Sequence, residues 1–204
     1  HEINKGGGAT RNTAVENSSA DIIFCLDSDD ILPKNVLPKM VIKMKEKNCD
    51  GVLFEETRFF SATNIEVTEN IKNTIIERSI SFEDMFKNVG GFFTKVNFLY
   101  TKNAYSIAGG YPTNHGYDTQ TFGYKFLSKG LTTFVCEGTY YLHRRHAKPS
   151  YFDREYKKGN LSVNTYLMYE DFFFLFSNSV KDKIINFDIF LILIKIHIKY
   201  FCNA

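Results

Sequence analysis

Apolar runs and segments of helical period alternate along the first half of this chain. Ile22, Ile23, Phe24, Cys25 and Leu26 form an unbroken apolar run, the pattern of a strand buried on both faces in a parallel sheet. Ahead of it, Ala14, Val15 and Ala20 predict a helix that starts near Gly8 or Ala9. Beyond it, Val36, Leu37, Met40, Val41 and Met44 recur at helical spacing, with Lys39, Lys43, Lys45 and Lys47 outside. Asn48-Cys49-Asp50-Gly51 stops that helix, and Val52-Leu53-Phe54 reads as the next strand. Helix, strand, loop, helix, strand predicts an α/β fold with a mixed, mostly parallel sheet flanked by helices. Ligands of such sheets bind outside the carboxyl ends of the strands.

The second half is less regular. Residues 58–81 are polar with some strand-like alternation, and Ser81 is placed to cap a short helix through Lys87. Val96 to Tyr100 reads as a strand, Asn103 to Ile107 as a helical turn, and Ala108-Gly109-Gly110-Tyr111-Pro112 as a sharp loop. Phe122, Phe126 and Leu127 give Thr119 to Lys129 a helical period. Gly130 ends that helix, and 131–137 and 139–142 read as two short strands. Aromatic residues from Leu161 to Phe176 suggest a further helix. Residues 184–201 are very apolar, but Asp188, Lys195, His197 and Lys199 interrupt them. That stretch is too short and too charged for a transmembrane span. It fits either a buried packing helix or one lying on a membrane surface. The domain expected is thus 1–148, with a helical extension over 149–204.

Composition changes little in this picture. The 204 residues suffice for one good-sized domain, or for one plus an appendage, and 44% apolar with 24% charged residues is ordinary for a globular protein. Twenty Phe and twelve Tyr against no Trp suggest a coding bias, not a mechanism. A net charge of +2 is too small to argue for a nucleic-acid partner. Basic residues gather only between His143 and Lys158, as a solvated face or an anion-binding patch. Cys25, Cys49, Cys136 and Cys202 show no CxxC spacing and read as small buried hydrophobes in a reducing compartment.

The candidate chemistry begins where the first strand ends. Asp27, Asp29 and Asp30 fall within four residues, and carboxylates so crowded raise one another's pKa unless a cation sits among them. Hard oxygen ligands at a strand end suit Mg²⁺ or Mn²⁺ holding a phosphate, while an acidic turn capping the next helix is the plain alternative. Gly6-Gly7-Gly8 feeding a helix N-terminus can hold a phosphate, though it lacks P-loop and dinucleotide spacing. Asp118 stands where a helix cap would be, and a carboxylate there can equally serve as a general base facing a cleft. His143 and His146 flank Arg144-Arg145 beside a strand end, where one imidazole could ligate a metal.

Taken in order, these motifs resemble the family 2 glycosyltransferases of the GT-A fold. The resemblance rests on Asn4…Gly6-Gly7-Gly8-Ala9-Thr10-Arg11-Asn12, the apolar strand with Leu26-Asp27-Ser28-Asp29-Asp30, and Gly109-Gly110-Tyr111-Pro112 followed by Asp118. It implies a nucleotide-diphosphate sugar donor, a UDP-sugar foremost, a divalent cation (Mn²⁺ or Mg²⁺), and a glycan or lipid-linked acceptor in polysaccharide assembly. The family's Asp-x-Asp motif falls on Asp27 and Asp29: Asp29 would ligate the metal, and Asp27 would face donor ribose or metal. Asp30 would support the site, and Arg11 and Gly8 would lie on the donor. Asp118 would deprotonate the acceptor hydroxyl, which favours inversion, although Tyr117 stands where the family often has Glu. His143 or His146 would add a metal ligand. The cysteine pattern points to a cytoplasmic location, and the apolar 184–201 stretch with the basic segment before it allows peripheral contact with the inner membrane face.

Two alternatives belong beside it: a non-catalytic sugar- or metal-binding fragment, and a haloacid-dehalogenase-like phosphotransferase, which Asp30-Ile31 fits badly. The family's chain opens with nucleotide-binding strands that would precede His1. At roughly 30 residues per βαβ unit, about two units are expected to be missing, so the sequence predicts weak nucleotide binding by this chain alone.

Overall fold

A computed structural model of the chain describes residues 3–61, 65–82, 84 and 97–146. The expected extension over 149–204, with its membrane-facing stretch at 184–201, lies outside the described residues, as does most of the helix expected through Lys87. Among the described residues no helix is long and apolar enough to cross a membrane.

The elements are α1 (Gly7–Glu16), β1 (Ile22–Ile23), α2 (Val36–Lys47), β2 (Gly51–Ser61), β3 (Val67–Lys72), β4 (Leu99–Thr101), α3 (Lys102–Ala108), α4 (Asp118–Ser128) and β5 (Thr133–Arg145). The mixed α/β class holds, but the balance of strand directions differs from the mostly parallel sheet expected. Among the described residues only β2 and β5 run parallel; β1 with β4, β2 with β4 and β2 with β3 are antiparallel. Of the strands that reverse direction, β3 comes from the polar stretch at 58–81 and β4 from the segment read as a strand at Val96 to Tyr100, whose direction its sequence does not encode.

Two strands dominate. β5 covers one edge of β2 from Gly51 to Ser61. On the other edge β4 pairs with Gly51 and Val52, and β3 takes over from Glu56 to Phe60. β1 is far shorter than the apolar run suggested. Its partner β4 is itself three residues long, so the ladder stops at Ile23 and Phe24 to Leu26 leave the sheet, with Leu26 48% exposed.

The sheet has a helix layer on each face. Val36, Met40 and Met44 of α2 pack on Val52, Phe54, Leu99, Cys136 and Tyr141. On the opposite face Leu53, Tyr100 and Val135 meet Val15 of α1, Ala104, Tyr105 and Ala108 of α3, and Phe122, Phe126 and Leu127 of α4. Consecutive residues thus serve opposite layers (Val52 against Leu53, Leu99 against Tyr100), as the period of two requires. Asn48, in the left-handed region at φ 45°, ends α2 as its C-cap.

The two strands expected at 131–137 and 139–142 are one strand with a bulge. Phe54 faces Cys136 and Glu56 faces Tyr140, so Glu137, Gly138 and Thr139 of β5 stand opposite Glu55 alone. Gly138, at φ 65°, supplies the left-handed step, and its N–H donates to Glu55 Oε2 at 2.6 Å. The bulge resets the alternation: Cys136 and Tyr141, of opposite parity, both face α2. This re-aiming positions the site.

Candidate active site

The acidic loop leaves β1 and docks on the free edge of β5. Asp30 N–H donates to the Asp27 carbonyl at 3.1 Å, closing a turn, and Ile31 then exchanges two backbone hydrogen bonds with Leu142 at 3.0 and 3.1 Å. Asp30 is the anchor. Its carboxylate accepts from the Tyr141 hydroxyl and, at 2.9 Å, from the Arg144 backbone N–H, and His143 Nδ1 lies 2.9 Å from it. Without the Gly138 bulge Tyr141 would point to the other layer. Arg144 Nε also donates to the Asp29 carbonyl at 2.7 Å. Asp30 is therefore buried and fully engaged, which leaves Asp27 and Asp29 as the carboxylates that face the cleft.

Those two look in different directions. Asp29 Oδ2 lies 2.6 Å from His146 Nε2 at the rim, and this bond holds its carboxyl below the usual range. Asp27 is turned inward: it accepts from Arg11 through Oδ1 and from Asn97 Nδ2 at 3.1 Å through Oδ2. Burial pushes the Asp27 carboxyl up, and Arg11 opposes that rise.

Arg11 extends from α1 to two carboxylates at once. Nη2 donates to Asp27 and Nη1 donates to Asp118 Oδ2 at 2.5 Å. Burial alone would depress its pKa, but Asp118 and Asp27 together raise it. Asp118 is the first residue of α4, and its carboxylate is spent on Arg11; the cap position belongs to Tyr117, which makes no side-chain cap bond. Of the two roles open to Asp118 in the sequence, the structure gives no support to capping.

The glycine run explains how α1 comes so close. A side chain at Gly8 would meet the Pro112 carbonyl oxygen at 1.9 Å, so Gly8 packs behind the cleft against the loop before α4. A Cβ at Gly7 would lie 2.7 Å from Asp118 Oδ2 and 2.8 Å from Arg11 Nη1. Asn12 completes the joint. Its Nδ2 donates to the Tyr111 carbonyl at 2.9 Å, and its Oδ1 accepts from the Tyr111 N–H at 2.8 Å and from the Tyr105 hydroxyl at 2.9 Å.

These groups surround a cleft of about 790 Å³ whose walls include Gly7, Arg11, Asp27, Asp29, His143 and Asp118. That size suits a small-molecule ligand. A second cleft of about 700 Å³ runs along α1 and β1 past Ile22, Phe24 and Leu26. Arg11 and Asp27 line both clefts, whereas Asp118 and Asp29 line only the first.

Among the described residues no cluster of three His, Cys, Asp or Glu side chains is set to hold a metal. The donors present nonetheless fit Mg²⁺ or Mn²⁺ at a diphosphate. Asp29 Oδ2 and His146 Nε2, 2.6 Å apart, need to open only to the ~3 Å separating neighbouring ligands of an octahedral ion. Such an ion takes one or two protein ligands and leaves the remaining positions to water and phosphate. His143, its Nδ1 held by Asp30, has Nε2 as a third donor, the arrangement common for metal-bound imidazole. Asp27, engaged by Arg11 and Asn97, is the poorest candidate of the four.

Arg11, Asp27, Asp29, Asp118, His143 and His146 are thus brought together, and Gly8 stands behind them. The sequence did not single out Asn97, Tyr141 or Gly7. Nothing in a strand-like run distinguishes Asn97, and Tyr141 depends on a bulge no periodicity reveals. Gly7 sat in the quoted motif without a role of its own.

Comparison with known proteins follows the same outline. The family described as Glycosyl transferase family 2 matches residues 1–109. No curated protein gives a match. Among solved structures, S. aureus TarS 1-349 superposes with a TM-score of 0.53 at 17% identity, covering 80% of this chain and 46% of that one. The same protein in complex with UDP-GlcNAc gives 0.53 at 15% identity over 71% and 40%. GalNAc-T7 with UDP, GalNAc and Mn²⁺ gives 0.50 at 12% identity over 71% and 31%. The chain spans less than half the length of these structures.

Proposed function

This chain belongs to glycosyl transferase family 2, and from that membership we propose that it moves a sugar from a nucleotide-diphosphate donor to an acceptor hydroxyl with inversion. One observation carries the reading: Asp27 and Asp29 of the acidic loop and Asp118 at the start of α4 line a single cleft. A displacement at an anomeric carbon needs charge stabilisation at the leaving diphosphate and a base at the incoming oxygen. Arg11 and the open N-terminus of α1 offer donors to the diphosphate. Asp27 faces the sugar or ribose, held in place by Asn97. Asp118 takes the hydroxyl proton as the oxygen bonds to the anomeric carbon; the C–O bond breaks, and its electron pair leaves on the diphosphate.

Asp29 and His146, with His143 behind them, would hold a divalent cation, which when bound supplies positive charge to the leaving diphosphate. Ligands named with the similar structures (UDP, UDP-GlcNAc, and Mn²⁺) support a UDP-sugar donor and a cation requirement here. A glycan or lipid-linked acceptor, a place in polysaccharide assembly and action at the inner membrane face complete the proposal. The test is the release of UDP from UDP-hexoses. Asp118→Asn should lower it roughly 100-fold or more without weakening UDP binding, and unchanged turnover would remove Asp118 from the base role.

A further inference from the structure

Arg11 and Asp118 cannot both perform their proposed tasks while bonded to each other. The Asp118 Oδ2 that would face an incoming hydroxyl already accepts from Arg11 Nη1 at 2.5 Å. An arginine committed to two carboxylates has its planar fork occupied, and only Nε lacks an acceptor among the described residues. Arg11 also lies at the junction of the two clefts, only one of which reaches Asp118. Its movement is constrained at the base: Asn12, the next residue, is clipped to Tyr111 from both sides, and the Tyr111 ring lies 5.9 Å from the guanidinium carbon. At the tip Arg11 lines the cleft of about 790 Å³, and Gly7 places no side chain beside the pair, where a Cβ would lie 2.8 Å from Nη1.

We infer that Arg11 is a positioning residue that makes the acceptor base depend on the donor. With the donor site empty, Arg11 bridges Asp27 and Asp118 and masks the base. A donor diphosphate, carrying more charge than one carboxylate, draws the guanidinium away from Asp118 while Asp27 keeps it within reach. Asp118 is then unmasked when a sugar is present to be transferred. By linkage, whatever the diphosphate must displace from Arg11 lowers its own affinity by the same factor. This rests on the proposed roles of Asp118 as base and of the diphosphate as Arg11's ligand.

The consequence is measurable without an acceptor. UDP with Mg²⁺ is titrated calorimetrically into the 204-residue chain and into Asp118→Asn, Arg11→Ala and the double variant. Removing the competitor in Asp118→Asn should tighten UDP by roughly fivefold or more, the lower end of inter-site coupling. In the Arg11→Ala background the same substitution should change nothing. A gain that survives Arg11→Ala is a simple loss of negative charge near an anion and overturns the inference. Unchanged or weaker binding by Asp118→Asn overturns it as well. Should Arg11→Ala not fold, Arg11→Lys, which cannot hold two carboxylates in a fork, must at least diminish the gain. Absence of UDP binding in every variant would defeat the donor reading itself, whereas binding without coupling defeats only the gate.

Discussion

Gly7 and Gly8 are neighbours on α1 that answer to different demands. At Gly8 an added methyl would meet a backbone carbonyl, which cannot step aside, so Gly8→Ala should cost about 1–3 kcal/mol, measured by urea denaturation. At Gly7 the obstacles are the ends of two flexible side chains. Gly7→Ala should therefore leave stability within about 1 kcal/mol of wild type, helped by alanine's helix propensity. It should nonetheless part Arg11 from Asp118 and so tighten UDP, in the same direction as Asp118→Asn. Equal effects of the two substitutions on stability would contradict this division. Both glycines were visible in the sequence as a phosphate-type loop. Their separate roles were not, because each depends on a partner about a hundred residues away. Asp27 and Asp29 were legible because a crowd of acids at a strand end is costly without a purpose, and Asp118 because it stands at a helix start. Asn97 was not, because an amide at the start of a strand is common and its partner is distant in sequence.

At the scale of elements, helices were read better than strands. α2 and α4 follow their apolar periods, and their bounds differ little from those expected. β1 was read as a full buried strand and is two residues long, because strand length is set by the partner and β4 is short. β5 was divided at Gly138, where the chain bulges and continues. The turn at Ser81 shows a local rule working as expected: Asp84 Oδ2 accepts from the Ser81 N–H, and Asp84 N–H donates to Ser81 Oγ, a reciprocal cap. Burial alone would raise the Asp84 carboxyl, but bonds from Arg78 and Ser81 outweigh it and bring it down to about 2. The ordinary value is 3.8, so this stabilisation is present above that pH and is lost as pH falls through about 2. We expect about 1–2 kcal/mol of acid-labile stability from this group, absent in Asp84→Asn. Parallel stability curves for the two proteins between pH 4 and pH 2 would contradict that origin.

At the scale of the molecule, the sheet separates two jobs. The α2 layer, with Phe54 and Tyr141, backs the acidic loop through Asp30. The opposite layer is an aromatic cluster, with Phe122 in contact with Phe98, Tyr100, Tyr105, Tyr111 and Phe126. This cluster seats α4, and with it Asp118, against the sheet from which the acidic loop emerges. Phe122→Ala should cost about 3–5 kcal/mol, and any turnover that remains should fall with it. The α/β class and the family were legible because their motifs are local. The antiparallel majority was not, because strand direction is decided by long connections whose sequences carry no periodic signal.

Calorimetric titration of UDP with and without Mn²⁺, into this chain and its Asp29→Asn variant, decides whether the acidic loop is a metal-assisted diphosphate site. Weak binding that requires the cation and is lost in Asp29→Asn is the expected result. UDP binding of equal strength without Mn²⁺, or untouched by Asp29→Asn, would contradict it.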